Sequence, residues 1–269
     1  MKNPQKAIVE ISGTQMYYEI AGEGECLCLI HGNAMDTRVW DAQFDFFSRY
    51  YRVLRYDLRG CGKSAEPKGI YAFDQDLKAL LDYLQIEKTT VMGISVGGGI
   101  ALNFTLNCPE NVSALIPVDP YITGYEWPHT TPRLKKLITC VQEGDAEAAR
   151  SIWKDMPWFD QIKQRPSVYL RLAEIVGDNS GWFFERPNPV NWGDTPISSR
   201  LMEIAVPTMV VVGEHDTSDN HEVVRILSSG IKDCRQLIVP DSGHMTMMEQ
   251  PDYFNQHVLE FLQSAESVL

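Results

Sequence analysis

Short apolar runs alternate along this chain with stretches whose apolar residues return every three or four positions, the periods of strands and of one-sided helices. The first two runs, Ile8-Val9-Glu10-Ile11 and Met16-Tyr17-Tyr18-Glu19-Ile20, flank Ser12-Gly13-Thr14 and predict a hairpin. Cys26-Leu27-Cys28-Leu29-Ile30 is continuously apolar, the mark of a strand covered on both faces, and it stops at His31-Gly32-Asn33-Ala34. Trp40, Phe44 and Phe47 stand at helical spacing, and residues 51–56 predict another strand. Phe73, Leu77, Leu80, Leu81 and Leu84 mark a helix, with Asp74 placed to cap its start. Thr89-Thr90-Val91-Met92 predicts a strand that runs through Gly93-Ile94-Ser95-Val96-Gly97 into a helix around Ile100 and Phe104. Residues 112–118 predict a sixth strand, ending at Asp119-Pro120. Strand and helix in alternation imply a mostly parallel sheet flanked by helices, an α/β architecture.

From residue 120 to 200 the rhythm breaks. Helical fragments at 134–141, 146–153 and 169–176 are separated by Pro- and Gly-containing turns, and no buried strand is evident. The rhythm resumes with the apolar strand at 207–212, a helix near 220–229, a strand at 236–239 and a last helix from Pro251 that presents Phe254, Val258, Phe261 and Leu262. Residues 1–119 and 201–269 therefore form the expected α/β core, with 120–200 a helical cap inserted between the sixth and seventh strands. Five of the six tryptophans lie in that insertion. Trp127, Trp153, Trp158, Trp182 and Phe183 are read either as the insertion's own small core or as walls of a pocket for an apolar or aromatic group.

A hydrophobic content of 44% over 269 residues is enough for a full core, so the chain needs no disulfide staples. Its six cysteines are scattered, and Cys26 and Cys28 share a strand face, which points to reduced thiols and a cytoplasmic setting. The net charge of −12 argues against nucleic acid and anionic membrane as partners. No apolar run approaches a membrane span, and Met1-Lys2-Asn3-Pro4-Gln5-Lys6 leads into a strand without an export segment. A small molecule is the expected partner.

Two nucleotide motifs fail on context. Gly62-Lys63-Ser64 mimics the end of a phosphate loop, but Asp57 stands where the first glycine belongs, and a carboxylate repels phosphate. Gly60-Cys61-Gly62-Lys63-Ser64-Ala65 fits a loose dinucleotide pattern, yet Glu66-Pro67-Lys68-Gly69 follows in place of a helix. Gly93-Ile94-Ser95-Val96-Gly97 fits its context. A strand turning sharply into a helix crowds the backbone, so small flanking residues are required, and the serine hydroxyl is held at the sheet edge over a helix N-terminus. Asp216 and His244 each follow a strand and lie on the same carboxyl edge as Ser95. An imidazole suits the base that takes the serine proton, and an ionised carboxylate orients it. Asp219, three residues on, and Asp119, after the preceding strand, remain alternatives for the acid. His31, His129, His215, His221 and His257 show no metal-ligand spacing, and Cys61 sits in a loop with nothing to lower its pKa; neither metal nor cofactor is expected.

With His31-Gly32-Asn33, Asp57-Leu58-Arg59-Gly60-Cys61-Gly62-Lys63-Ser64, the Ser95 elbow, Gly213-Glu214-His215-Asp216 and Ser242-Gly243-His244 in register, the chain resembles the α/β-hydrolase fold superfamily over essentially its whole length. It is similar to the lid-bearing group of 3-oxoadipate enol-lactonases and small bacterial carboxylesterases. The resemblance implies an eight-stranded sheet, Ser95, Asp216 and His244 as a triad, and an oxyanion hole from the backbone N–H groups of Asn33 and Val96. It also implies that His31 braces its loop. The expected activity is hydrolysis of a carboxylic ester or lactone through an acyl-enzyme. The alternatives are carbon–carbon bond hydrolysis or perhydrolysis with the same residues, or a slow-turnover receptor on a hydrolase scaffold.

Overall fold

Cys26–Ile30 (β3) is buried at every residue, as a continuously apolar strand must be, and it lies near the middle of the sheet. The structure is a computed structural model that describes residues 4–266, so the reading of the first three residues as lacking an export segment lies outside them. The other strands are β1 (Gln5–Ile11), β2 (Thr14–Ala21), β4 (Arg52–Tyr56), β5 (Thr89–Ile94), β6 (Val112–Val118), β7 (Thr208–Gly213) and β8 (Cys234–Val239). They form one 8-stranded sheet in the order β1-β2-β4-β3-β5-β6-β7-β8. β1 and β2 make the expected hairpin and β2 pairs antiparallel with β4; every later pairing is parallel. Parallel pairing brings the carboxyl ends of β3 to β8 to one edge, where His31, Ser95, Asp119, Asp216 and His244 follow their strands.

Helices cover both faces. α1 (Asp41–Phe47) follows a short 3-10 turn at Thr37–Trp40 and packs with the C-terminal helix on one face; α2 (Phe73–Tyr83) and α3 (Val96–Asn107) pack on the other. α2 starts differently from expectation. Its N-cap is Ala72, which makes no side-chain cap, and Asp74 lies in the first turn, where its carboxylate accepts from the Asn107 side chain at 2.8 Å. An acid there still favours the helix dipole.

Between β6 and β7 the chain forms α4 (Thr131–Glu143), α5 (Ala146–Lys154), α6 (Pro166–Gly177) and α7 (Trp182–Glu185), with no named strand among the described residues. Buried Asp219, on α8 (Ser218–Gly230), fastens this segment: its carboxylate accepts from Thr130 N–H at 2.9 Å, the Thr130 hydroxyl at 2.7 Å and the Tyr125 hydroxyl at 3.1 Å. Asn179 Nδ2 donates to Met35 O at 3.1 Å on the far side. The chain closes with α9 (Thr246–Glu249) and α10 (Pro251–Glu266), the latter burying Phe254, Val258, Phe261 and Leu262 as its periodicity predicts. No helix of the described residues is long and apolar enough to cross a membrane.

A buried ion pair supports the loop after β3. Arg55 Nη2 lies 2.7 Å from Glu19 Oε2, and Arg55 Nη1 donates to Thr37 O at 3.0 Å. Burial would raise the Glu19 carboxyl from its ordinary 4.5, but the Tyr17 hydroxyl and Arg55 bring it down to about 2. The stability this supplies is complete above pH 4.5 and is lost as the pH falls through 2. Glu19→Gln is expected to lower the urea-unfolding free energy at neutral pH by about 3 kcal/mol, because buried Arg55 loses its buried carboxylate and keeps only the half-exposed Asp41. The gap to wild type should close as the same titration is repeated from pH 4.5 toward pH 2.

Candidate active site

Ser95 sits at φ 57° and ψ −119°, a conformation that L-residues rarely adopt, between β5 and α3. The surroundings hold it there. Ser95 N–H donates to Val118 O at 2.9 Å, and Ser95 O accepts from Tyr121 N–H at 2.9 Å. A Cβ on Gly93 would overlap the Gly97 carbonyl, and one on Gly97 would overlap the carbonyls of Ile30 and His31. The glycines of the motif are thus required by close backbone approach. Val96 is the first residue of α3, so its N–H has no partner within the helix and is free to serve an oxyanion.

The loop after β3 faces this elbow. His31 is fully buried, and burial holds its imidazole below its ordinary pKa. Its Nδ1–H donates to Gly32 O at 2.7 Å and its Nε2 accepts from Leu58 N–H at 2.9 Å, tying the loops after β3 and β4 together. The decoy loop is filled from within. The Asp57 carboxylate accepts from Lys63 N–H and from Thr37 N–H, both at 2.9 Å, so amides that a phosphate loop would present are spent on the protein's own acid.

Asp216, just past β7, is oriented by three donors. Its Oδ2 lies 2.8 Å from His244 Nδ1 and accepts from Asn220 Nδ2 at 2.8 Å, while Oδ1 accepts from Thr217 N–H at 2.6 Å. Burial pushes this carboxyl up, but the His244 ring and the side-chain hydrogen bonds of His244, Asp119 and Asn220 outweigh it and leave Asp216 below its ordinary pKa. Sequence reasoning missed Asn220; its signal is a position four residues after Asp216, one turn into α8.

Asp119, the alternative acid after β6, has other hydrogen-bond partners than Asp216. It is fully buried, its Oδ1 accepts from Gly213 N–H at 3.0 Å and its Oδ2 from the Thr246 hydroxyl at 3.3 Å. Burial, and then the charge on Asp216, push its pKa well above the ordinary value, the opposite direction to Asp216. Ligand atoms of Asp119, Asp216 and His244 lie within 4.8 Å of one another, a spacing that could hold a metal ion. The hydrogen bonds just described already occupy those atoms, which suits the trio to holding protons. Asp119→Ala would strand the Gly213 N–H and the Thr246 hydroxyl in the core at about 1–3 kcal/mol each. Its urea midpoint is expected to fall accordingly, whereas Asp119→Asn, isosteric with the protonated acid, stays near wild type.

Above the elbow lies a cavity of about 250 Å³ lined by Ser95, His244, Asn33 and Val96, all four singled out from sequence, and by Asn220 and Asp119. Trp127, Trp153, Trp158 and Phe183 also line it. Trp182 does not. It is buried against the loop after β4, its Cε3 2.8 Å from where a Gly60 Cβ would stand, so it seals the insertion onto the core. Phe73, Tyr121, Phe159 and Trp192 complete the aromatic walls; none was among the pocket candidates named from sequence, and Phe73 comes from outside residues 120–200. Cys61 is buried too, and burial pushes its thiol up to about 12. All six cysteines are free.

The family model described as alpha/beta hydrolase fold matches residues 25–251. The chain is 27% identical over 251 residues to 3-oxoadipate enol-lactonase 2 of Acinetobacter baylyi, covering 90% of each chain. It is 25% identical over 249 residues to the uncharacterized carboxylesterase nap of Bacillus subtilis, covering 90% of this chain and 80% of that one. Among solved structures, the enol-lactonase from Burkholderia xenovorans LB400 superposes with a TM-score of 0.78 at 25% identity, covering 96% of this chain and 100% of the other.

Proposed function

The chain belongs to the alpha/beta hydrolase fold family, and from that premise we propose that it is a serine hydrolase that cleaves a carboxylic ester or lactone through an acyl-enzyme on Ser95. The observation that carries this reading is the convergence of the strained Ser95 elbow and the His244–Asp216 pair on one apolar cavity.

In the proposed reaction His244 accepts the Ser95 proton at Nε2 as Oγ bonds to the substrate carbonyl carbon. Asp216 holds the imidazole with Nδ1–H toward its own Oδ2 and stabilises the imidazolium. The N–H groups of Asn33 and Val96 receive the carbonyl oxygen as it becomes negative. The tetrahedral intermediate collapses, the carbon–oxygen bond to the leaving group breaks, and His244 returns its proton to the departing oxygen. Water, deprotonated by His244, then attacks the acyl carbon; Oγ departs with the proton and the carboxylic acid is released. Residues 120–200 act as a cap over the core of 1–119 and 201–269, and their aromatic side chains exclude solvent from these steps.

Enol-lactonase and carboxylesterase relatives at 25–27% identity support the ester or lactone class. Treating the protein with a fluorophosphonate and digesting it tests the reading. The adduct is expected on the peptide containing Ser95, and its appearance on another residue overturns the assignment.

A further inference from the structure

The cavity walls restrict the substrate's charge and its orientation. Among the described residues that line the cavity there is no lysine or arginine. Its polar side chains are Asn33, Asn188, Asn220, Thr130 and Tyr121, beside Ser95, His244 and Asp119. Asn188 Oδ1 already accepts from the Tyr71 hydroxyl at 2.9 Å, while Asn220 Oδ1 is buried without a hydrogen-bond partner. An anion entering here gives up its hydration and meets no lysine or arginine.

The aromatic walls form two sets. Tyr121 stacks on Trp127 at 5.6 Å and meets Trp192 at 5.7 Å, and these rings pack against the core on the α2–α3 face. Trp153 meets Phe159 at 4.5 Å and Trp158 meets Phe159 at 6.1 Å, and this set packs against the core on the α1–α10 face. His244 belongs beside the second set, its ring centroid 6.0 Å from that of Trp158 at an interplanar angle of 31°. The group that receives the His244 proton is the leaving oxygen, so the alcohol half of a substrate lies nearest this set.

We propose that the site takes an ester uncharged on both sides of the scissile carbonyl, with its alcohol half against Trp158 and its acyl half against Trp127 and Tyr121. This rests on the serine-hydrolase reading above and narrows it to a substrate class. Acyl-side and alcohol-side charge are tested separately, with 4-nitrophenyl valerate against 4-nitrophenyl hemiglutarate, and phenyl acetate against 4-carboxyphenyl acetate. Each pair is run on wild type, Ser95→Ala, Leu134→Lys and Trp158→Ala.

The neutral member of each pair is expected to have kcat/KM at least about 100-fold higher on wild type. Leu134→Lys, which adds a cation to the wall, should narrow the gap by about tenfold or more in at least one pair. Trp158→Ala should lower the preference for phenyl acetate over methyl acetate while leaving the preference among 4-nitrophenyl acyl chains unchanged. Ser95-dependent turnover of charged and neutral esters at equal rates would overturn the charge restriction and leave the hydrolase reading standing. A Trp158→Ala effect confined to acyl chains would overturn the orientation. If no ester shows Ser95-dependent turnover, both the inference and the function it rests on fall.

Discussion

Ser95→Ala is expected to lower kcat/KM toward a neutral aryl ester by about 10⁴-fold or more, with the fold intact. The size of the loss follows from covalency. Without Oγ there is no acyl-enzyme, and His244 and the Asn33 and Val96 amides can only assist direct attack by water. The fold survives because alanine keeps the Cβ. The strained φ of 57° is imposed by backbone bonds to Val118 and Tyr121 and by the glycine contacts around it, none of which involves the hydroxyl. Urea unfolding of Ser95→Ala should therefore match wild type within about 0.5 kcal/mol, a value typical of a side chain with no structural partner. Steady-state rates with active-site titration measure the first effect. Turnover within tenfold of wild type would remove Ser95 from the mechanism.

The second large effect separates two neighbouring acids. Asp216→Asn is expected to reduce kcat by about 10³–10⁴-fold, because an amide at this position can present an N–H to the imidazole and favour the wrong tautomer, and it removes the charge that stabilises the imidazolium. Asp119→Asn is expected to reduce kcat by less than about tenfold. Burial holds the Asp119 carboxyl well above its ordinary pKa, and its oxygens accept from Gly213 and Thr246. The comparison depends on the charge being localised on Asp216, where Asn220, Thr217 and His244 all donate to it. Equal losses in the two variants would mean that the acids share the charge through the reaction. Loss in Asp119→Asn alone would make Asp119 the orienting acid. Asn220→Ala provides a control on this network and should fall between the two, since it removes one donor to Asp216 and leaves the charge.

Local patterning carried much of this architecture. Cys26–Ile30 and Met209–Val212 are continuous apolar runs that admit no exposed face, so their burial on both faces follows from composition alone. The Gly93 and Gly97 requirement was likewise visible, because a tight turn excludes side chains wherever it occurs. Asp74 shows the limit of local rules. A residue type favoured at N-caps stands in the first turn of a helix that starts after Ala72, where its partner is Asn107 of the neighbouring helix. Cys61 looks exposed from its loop sequence, yet it is buried in the packed core.

The positions of Ser95, Asp216 and His244 after β5, β7 and β8 were determined by the sequence itself, because hydrophobic runs set strand limits and parallel pairing aligns their carboxyl ends. Which acid meets His244 was decided only in the tertiary structure. Asp119, Asp216 and Asp219 are the same residue type within reach of the same edge, and their difference lies in donors contributed by Asn220, Thr217, Gly213, Thr246 and Thr130. The pocket was decided there as well. Trp127, Trp158 and Trp182 are equivalent in a linear reading, but the packing of the insertion turns the first two toward Ser95 and the third onto Gly60, a contact set by three-dimensional geometry rather than by period or propensity.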